Sequence, residues 1–201
     1  MWIESEEALR ALYGPAGEAS LAKEVPALTP QYRALIEASP FCVLATSGPG
    51  GLDATPRGDP PGFIRVLDDK TLVIPDRRGN NRIDSLLNIV RDPRVAILIL
   101  VPGVAETLRV NGRGRITTDP ALLEPTAVDG KVPVTGLVIT VESVYFQCAK
   151  ALVRSRLWDP AAQRDRAELP TPGQMLKGAR AGFDAEAYDK ALPARLAVSL
   201  Y

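Results

Sequence analysis

Between Phe41 and Cys148 the chain is a succession of short β-favouring runs, and almost every link between them is too short to carry a crossover helix. That excludes a doubly wound parallel sheet and points to a small antiparallel barrel with helices, an α+β fold dominated by β structure. The runs are Phe41–Thr46, Leu52–Arg57, Phe63–Leu67, Thr71–Ile74, Arg94–Val101, Leu108–Ile116 and Leu137–Cys148. Turn chemistry separates them: SGPGG at Ser47–Gly51, GDPPG at Gly58–Gly62, and Asp68-Asp69-Lys70. Arg94–Val101 is apolar on both faces, the pattern of a buried central strand. Leu108–Ile116 alternates. Leu108, Val110, Gly112, Gly114 and Ile116 take one face, and Arg109, Asn111, Arg113 and Arg115 form a basic outer one.

The exceptional link follows Thr71–Ile74. Pro75–Asn81 is a turn-rich loop, and Arg82–Arg91 then carries Ile83, Leu86, Leu87 and Val90 at the spacing of one helical face. Asn81 suits the N-cap and Asp84 the acidic position of a capping box. Arg77, Arg78 and Arg82 therefore crowd a helix N-terminus. Free N–H groups, the helix dipole and planar guanidinium donors all favour an anion there, phosphate above all. Ser85, one turn beyond on the face read as polar, adds a hydroxyl. The plainer alternative is a solvated basic loop, partly neutralised by Asp76 and Asp84. The stretch contains neither a P-loop nor a dinucleotide fingerprint.

Composition narrows the chemistry. The 201 residues contain no histidine, which excludes Ser-His-Asp and Cys-His catalysis and His-ligated metal sites. A reactive protein so composed borrows its reactivity from a cofactor. Lys and Arg total 24, as do Asp and Glu, so no global field draws the chain to nucleic acid or to a membrane surface. The longest apolar run, Val95–Val101, is too short to span a bilayer, and MWIESEEALR lacks a signal-peptide pattern. Cys42 and Cys148 read as reduced structural thiols in apolar surroundings, hence a cytoplasmic setting.

Three regions follow: a helical appendage at 1–40, the barrel at 41–160 and a helical tail at 161–201 that packs on the barrel. The appendage holds helices over Glu4–Tyr13 and over Pro30–Ala38, the second capped by Thr29-Pro30, with a connector between them. Thr117–Pro133 is a loop excursion and Ala149–Trp158 a further helix.

The ordered segments FCVLATSGPGG, LDATPRGDPPGFIRV, TLVIPDRRGNNRIDSLLNI, DPRVAILILVPG, ETLRVNGRGRI and AKALVRSRLWDP resemble the FMN-dependent flavoproteins related to pyridoxamine 5′-phosphate oxidase. The likeness covers roughly residues 30–160, and PRGDPPGF and RSRLWDP place it near a bacterial subgroup. The resemblance implies a split β-barrel homodimer with FMN at the subunit interface. It sets Arg57 as an early flavin-contacting arginine and lays Ile74 and Pro75 along the isoalloxazine ring. It puts Arg77, Arg78, Asn80, Asn81, Arg82 and Ser85 around the phosphate, with Asn88 near an amide position of the family. Arg109 and Asn111 face the site from the next barrel strand. Arg154, Ser155 and Trp158 correspond to the partner subunit's contribution. Two features depart from the family's oxidases: the Arg77–Asn81 loop is longer, and the Arg/His pattern that recognises pyridoxal phosphate is absent.

Plainer roles stand beside these. Arg113 and Arg115 fit solvated strand positions, and Arg154 and Arg156 fit helix-surface charges. Trp158 fits core or dimer contact, and Asp59 a turn. The reading that results is an FMN-binding oxidoreductase acting on a small-molecule redox substrate. A non-catalytic flavin-binding or redox-sensing protein, a deazaflavin (F420) reductase and a haem binder are the alternatives on the same barrel.

Overall fold

The computed structural model describes residues 2–201. It opens with three helices, α1 (Glu6–Arg10), α2 (Glu18–Ala22) and α3 (Pro30–Ala38). The helix expected over Glu4–Tyr13 keeps only its middle. α2 falls in the stretch read as a connector, since one turn and a half is too short to show a helical period. α3 has the expected bounds: Thr29 Oγ1 accepts from the Tyr32 N–H at 3.2 Å, and Pro30 starts the helix. The segment is tied to the sheet, because Ile36 is fully buried and Val25 bridges to Val144.

Seven strands follow: β1 (Phe41–Gly48), β2 (Gly51–Gly58), β3 (Arg65–Val66), β4 (Thr71–Asp76), β5 (Arg94–Leu100), β6 (Thr107–Thr117) and β7 (Thr135–Gln147). They form one sheet in the order β2-β1-β5-β6-β7-β4-β3, and every pairing is antiparallel. The expected strand Phe63–Leu67 pairs only through Arg65–Val66, because Phe63 and Ile64 turn into the core instead. The sheet curls until its ends meet. Arg57 on β2 lies 3.6 Å from Asp76 on β4, although four strands separate them in the order. Inside are Leu44, Ile74, Ile97, Val110, Leu137 and Ile139. Each such fully buried Leu or Ile stabilises the fold by about 1.5–3 kcal/mol.

β5 buries Val95, Ile97 and Ile99 but leaves Ala96, Leu98 and Leu100 half-buried, so the single chain covers one face of a strand expected to be buried on both. β6 alternates as its sequence does, with a bulge at Asn111/Gly112. Gly114 matters to what packs beside it. A Cβ there would come within 2.8 Å of Leu137 Cδ1 and 3.2 Å of Ile89 Cγ2, so the glycine lets a helix lie against the barrel.

That helix is α4 (Asp84–Arg91), and two expectations fail in it. Its N-cap is Ile83, with φ 49° and no side-chain cap, while Asn81 stands at φ 60° outside the helix. The capping box does not form because Asp84 pairs instead with Arg82, at 2.7 Å. The buried face carries Ser85 and Ile89, with Leu86 beside them, and not Ile83, Leu87 and Val90. Leu86 adjoins Leu87 and Ile89 adjoins Val90, so apolar spacing fits either face. Polar Ser85 and Asn88 are inside because both find partners there.

Beyond the strands lie α5 (Pro120–Leu123), α6 (Lys150–Ser155), α7 (Pro172–Ala179) and α8 (Ala185–Ser199). α6 stops short of Trp158, since Arg156 takes a left-handed φ of 53°. Asp189 of α8 accepts from Thr171 Oγ1 and the Gly173 N–H, joining α8 to the start of α7. Cys42 is buried, but Cys148 is exposed at the end of β7, against the apolar setting expected for it.

Candidate functional site

The site forms where the curled sheet closes. Arg57 Nη2 donates to Ser85 Oγ at 2.9 Å, so β2 is bonded to the first turn of α4. Ser85 is only 5% exposed and lies inside the fold, not on the polar face beside Arg82. Above this bond lies a polar cavity of about 210 Å³. Its walls include Arg57, Arg77, Asn80, Asn81, Arg82 and Ser85 from the expected cradle, together with Asp53, Asp76 and Asp84. Ile74 and Pro75 are buried behind it, lining a void of about 10 Å³ with Leu44 and Leu86.

The loop is held without a capping side chain on the helix. Asn80 Oδ1 accepts from the Arg82 N–H at 3.1 Å, which sets a local turn. Ile83 is a β-branched residue in the left-handed region, a conformation that costs about 1–3 kcal/mol and collects at ligand sites. With no cap at Ile83, the first-turn N–H groups of α4 are unserved by a side chain, and Asp84, Ser85 and Leu86 of that turn line the cavity.

Three arginines of the cradle each pair with a carboxylate, but the pairs differ in strength. Arg77 Nε donates to Asp59 Oδ2 at 2.5 Å and its Nη1 donates to the Thr126 carbonyl at 2.7 Å. The Asp59 side chain is 1% exposed, so this pair is part of the framework and Asp59 is far more than a turn residue. Arg57 holds Ser85 and, more loosely, Asp76. Burial pushes the Asp76 carboxyl above the usual carboxylate range, with Arg57 opposing it. Arg82 and Asp84 are both well exposed, and such a pair contributes about 0–1 kcal/mol. Arg82 is the arginine an incoming anion can recruit at least cost.

Other expected residues lie elsewhere. Arg78 leaves the cradle, pointing to a second cavity and donating to the Val198 carbonyl at 3.5 Å. Asn88 turns to the barrel and donates to Thr46 Oγ1 at 3.1 Å; a Cβ at Gly48 would collide with its amide. Arg109 bonds Tyr145 Oη at 2.7 Å and Asn111 bonds Ser143 Oγ at 3.2 Å, both on the outer face of β6 and β7. Arg154 is exposed, Ser155 bonds back to the Leu152 carbonyl, and Trp158 Nε1 donates to the Val104 carbonyl at 2.8 Å. One chain does not bring these five to the cavity. Asp53 and the Asp59–Tyr201 bond carried no recognisable sequence signal, because the curl of the sheet brings them to the site.

Residues 28–148 match the model of the pyridoxamine 5′-phosphate oxidase family, and the chain belongs to that family. HupZ from Group A Streptococcus is similar at 20% identity, over 59% of this chain and 93% of that one, with a TM-score of 0.49. A Clostridium acetobutylicum protein related to general stress protein 26 is similar at 15% identity, over 58% of this chain and 85% of that one, with a TM-score of 0.45. A structure described as an F420 reductase matches at 20% identity, over 60% and 98%, with a TM-score of 0.43. No curated protein matches the chain. No described helix is long and apolar enough to cross a membrane.

Proposed function

We propose that the protein is an FMN-binding oxidoreductase whose phosphate anchor is the start of α4. The observation that carries this reading is the uncapped helix N-terminus opening on a polar cavity between Arg57 and Arg82. The residues fit a phosphate: free N–H donors, one exchangeable guanidinium in Arg82 and one fixed guanidinium in Arg57.

When bound, the flavin supplies the redox chemistry. The chain supplies position and field. Arg57, braced by Ser85, fixes the cradle on β2. Ile74 and Pro75 form the rigid backing at the end of β4. With no histidine in the chain, guanidinium and backbone N–H groups are the available partners for developing negative charge.

We assign the working unit as a homodimer. Leu52, Ile83, Val90 and Val153 are each half exposed or more, and β5 leaves one face half-covered. Arg109, Asn111, Arg154, Ser155 and Trp158 would then serve the partner's cradle. Unpaired cysteines suit a cytoplasmic setting.

Purified protein should be yellow and release FMN, not FAD, on denaturation. A colourless protein that takes up no added FMN overturns the reading, and a spectrum of deazaflavin or haem replaces it. Light scattering that finds a stable flavin-loaded monomer removes the dimer. Anaerobic reduction by NADPH, faster than that of free FMN, separates an enzyme from a passive flavin carrier.

A further inference from the structure

The second cavity, about 640 Å³, has a different character from the cradle it adjoins. Ile83 and Leu86 of the α4 segment form one side, and Val132, Pro133 and Val134 form the other. Two cations stand on its rim, Arg78 and Lys131. Neither lies within ion-pair distance of an aspartate or glutamate among the described residues. Each instead donates to a main-chain oxygen of the C-terminal segment, Arg78 to Val198 at 3.5 Å and Lys131 to Tyr201 at 3.1 Å. The other charges lining the cavity are already engaged: Arg77 with Asp59, and Asp76 with Arg57.

Tyr201 forms a further wall. Its hydroxyl donates to Asp59 Oδ1 at 2.6 Å, and its ring lies 5.7 Å from the Arg77 guanidinium carbon. Through Asp59 and Arg77 the tail is therefore bonded to the same framework that walls the cradle. An apolar volume of this size with a few convergent polar groups is the ordinary form of a small-molecule site.

The geometry points to this cavity as a binding site for an apolar carboxylate, with Arg78 and Lys131 as the cations that recognise its anionic group. The apolar body lies between Ile83, Leu86 and Val132–Val134. The carboxylate takes over the donors that now serve main-chain oxygens of the tail, pairing two cations with one anionic group. That the occupant is the substrate of a flavin held next door rests on the function proposed above; the ligand class does not.

The test uses two probes of one shape, 2-naphthoate and uncharged 2-naphthalenemethanol, titrated by calorimetry into the full-length protein with and without FMN. Wild type should bind naphthoate about tenfold more tightly than the alcohol, the worth of one charge-assisted contact. The Arg78→Gln/Lys131→Gln double variant should bind the two alike, with its thermal unfolding unchanged. Lys131→Gln alone should narrow the preference and leave FMN affinity as it is. Equal binding of both probes by wild type, binding of neither, or a preference that survives the double variant overturns the assignment. A protein that prefers naphthoate but takes up no FMN keeps this site and loses the flavin reading.

Discussion

Arg57 and Asp76 sit on strands separated by four others in the sheet order, and they are 3.6 Å apart. Their approach measures the closure of the barrel, and the cradle lies directly on it. Arg57 also donates to Ser85, so one side chain joins two strands and a helix.

Arg57→Ala should therefore cost stability before it costs binding. It strands Asp76 in a half-buried place and removes the donor to nearly buried Ser85. The expected loss is about 1–3 kcal/mol, read as a lower urea midpoint with an unchanged slope. A midpoint equal to that of wild type means the closure does not depend on this residue.

Asp76 gives a pH dependence of definite sign. Burial raises its folded-state pKa above the unfolded value, against the opposing Arg57. The folded state then holds the proton more tightly, so stability falls as pH rises from the ordinary carboxylate range through the raised pKa. Asp76→Asn should abolish that part of the profile and leave the rest. Chemical denaturation of both proteins across pH 4 to about 7 checks it; parallel profiles contradict it.

The two cysteines should differ sharply in reactivity. Burial pushes the Cys42 thiol up to about 12, with Arg57 opposing, whereas Cys148 is exposed. The thiolate is the reactive form. Native protein treated with iodoacetamide at mildly alkaline pH should gain one label, mapped to Cys148 by mass spectrometry. Denatured protein should gain two. Labelling of Cys42 in the native state would show that β1 opens readily.

What was legible in the sequence was whatever local pattern decides. The alternation of Leu108–Ile116 and the cap at Thr29 reappear as β6 and α3. The face of α4 was not legible, because Leu86-Leu87 and Ile89-Val90 satisfy the same spacing twice. What decides between them is a hydrogen bond to Ser85 from Arg57, 28 residues away. The clustering of Arg57, Arg77 and Arg82 followed from family likeness and loop chemistry. Asp76 and Asp84 were already visible as neutralising charges in the loop, but the places of Asp53 and Asp59, and the roles of Lys131 and Tyr201, come from long-range closure that no window of sequence contains. Asp59 looked like a turn residue because it lies between Gly58 and Pro60, yet it binds both Arg77 and Tyr201.

The most direct measurement is the ratio of riboflavin to FMN dissociation constants, in wild type and in Arg82→Ala. The two ligands differ only in the phosphate, which carries a charge of about −1.5 to −2 at neutral pH. Arg82 is the exposed, exchangeable arginine beside the uncapped start of α4. A charge-assisted bond contributes about 1.5–3 kcal/mol, so FMN affinity should fall about tenfold or more while riboflavin affinity barely changes. A mutant that keeps full FMN affinity, or a wild type that binds both flavins equally, contradicts the placing of the phosphate at this helix.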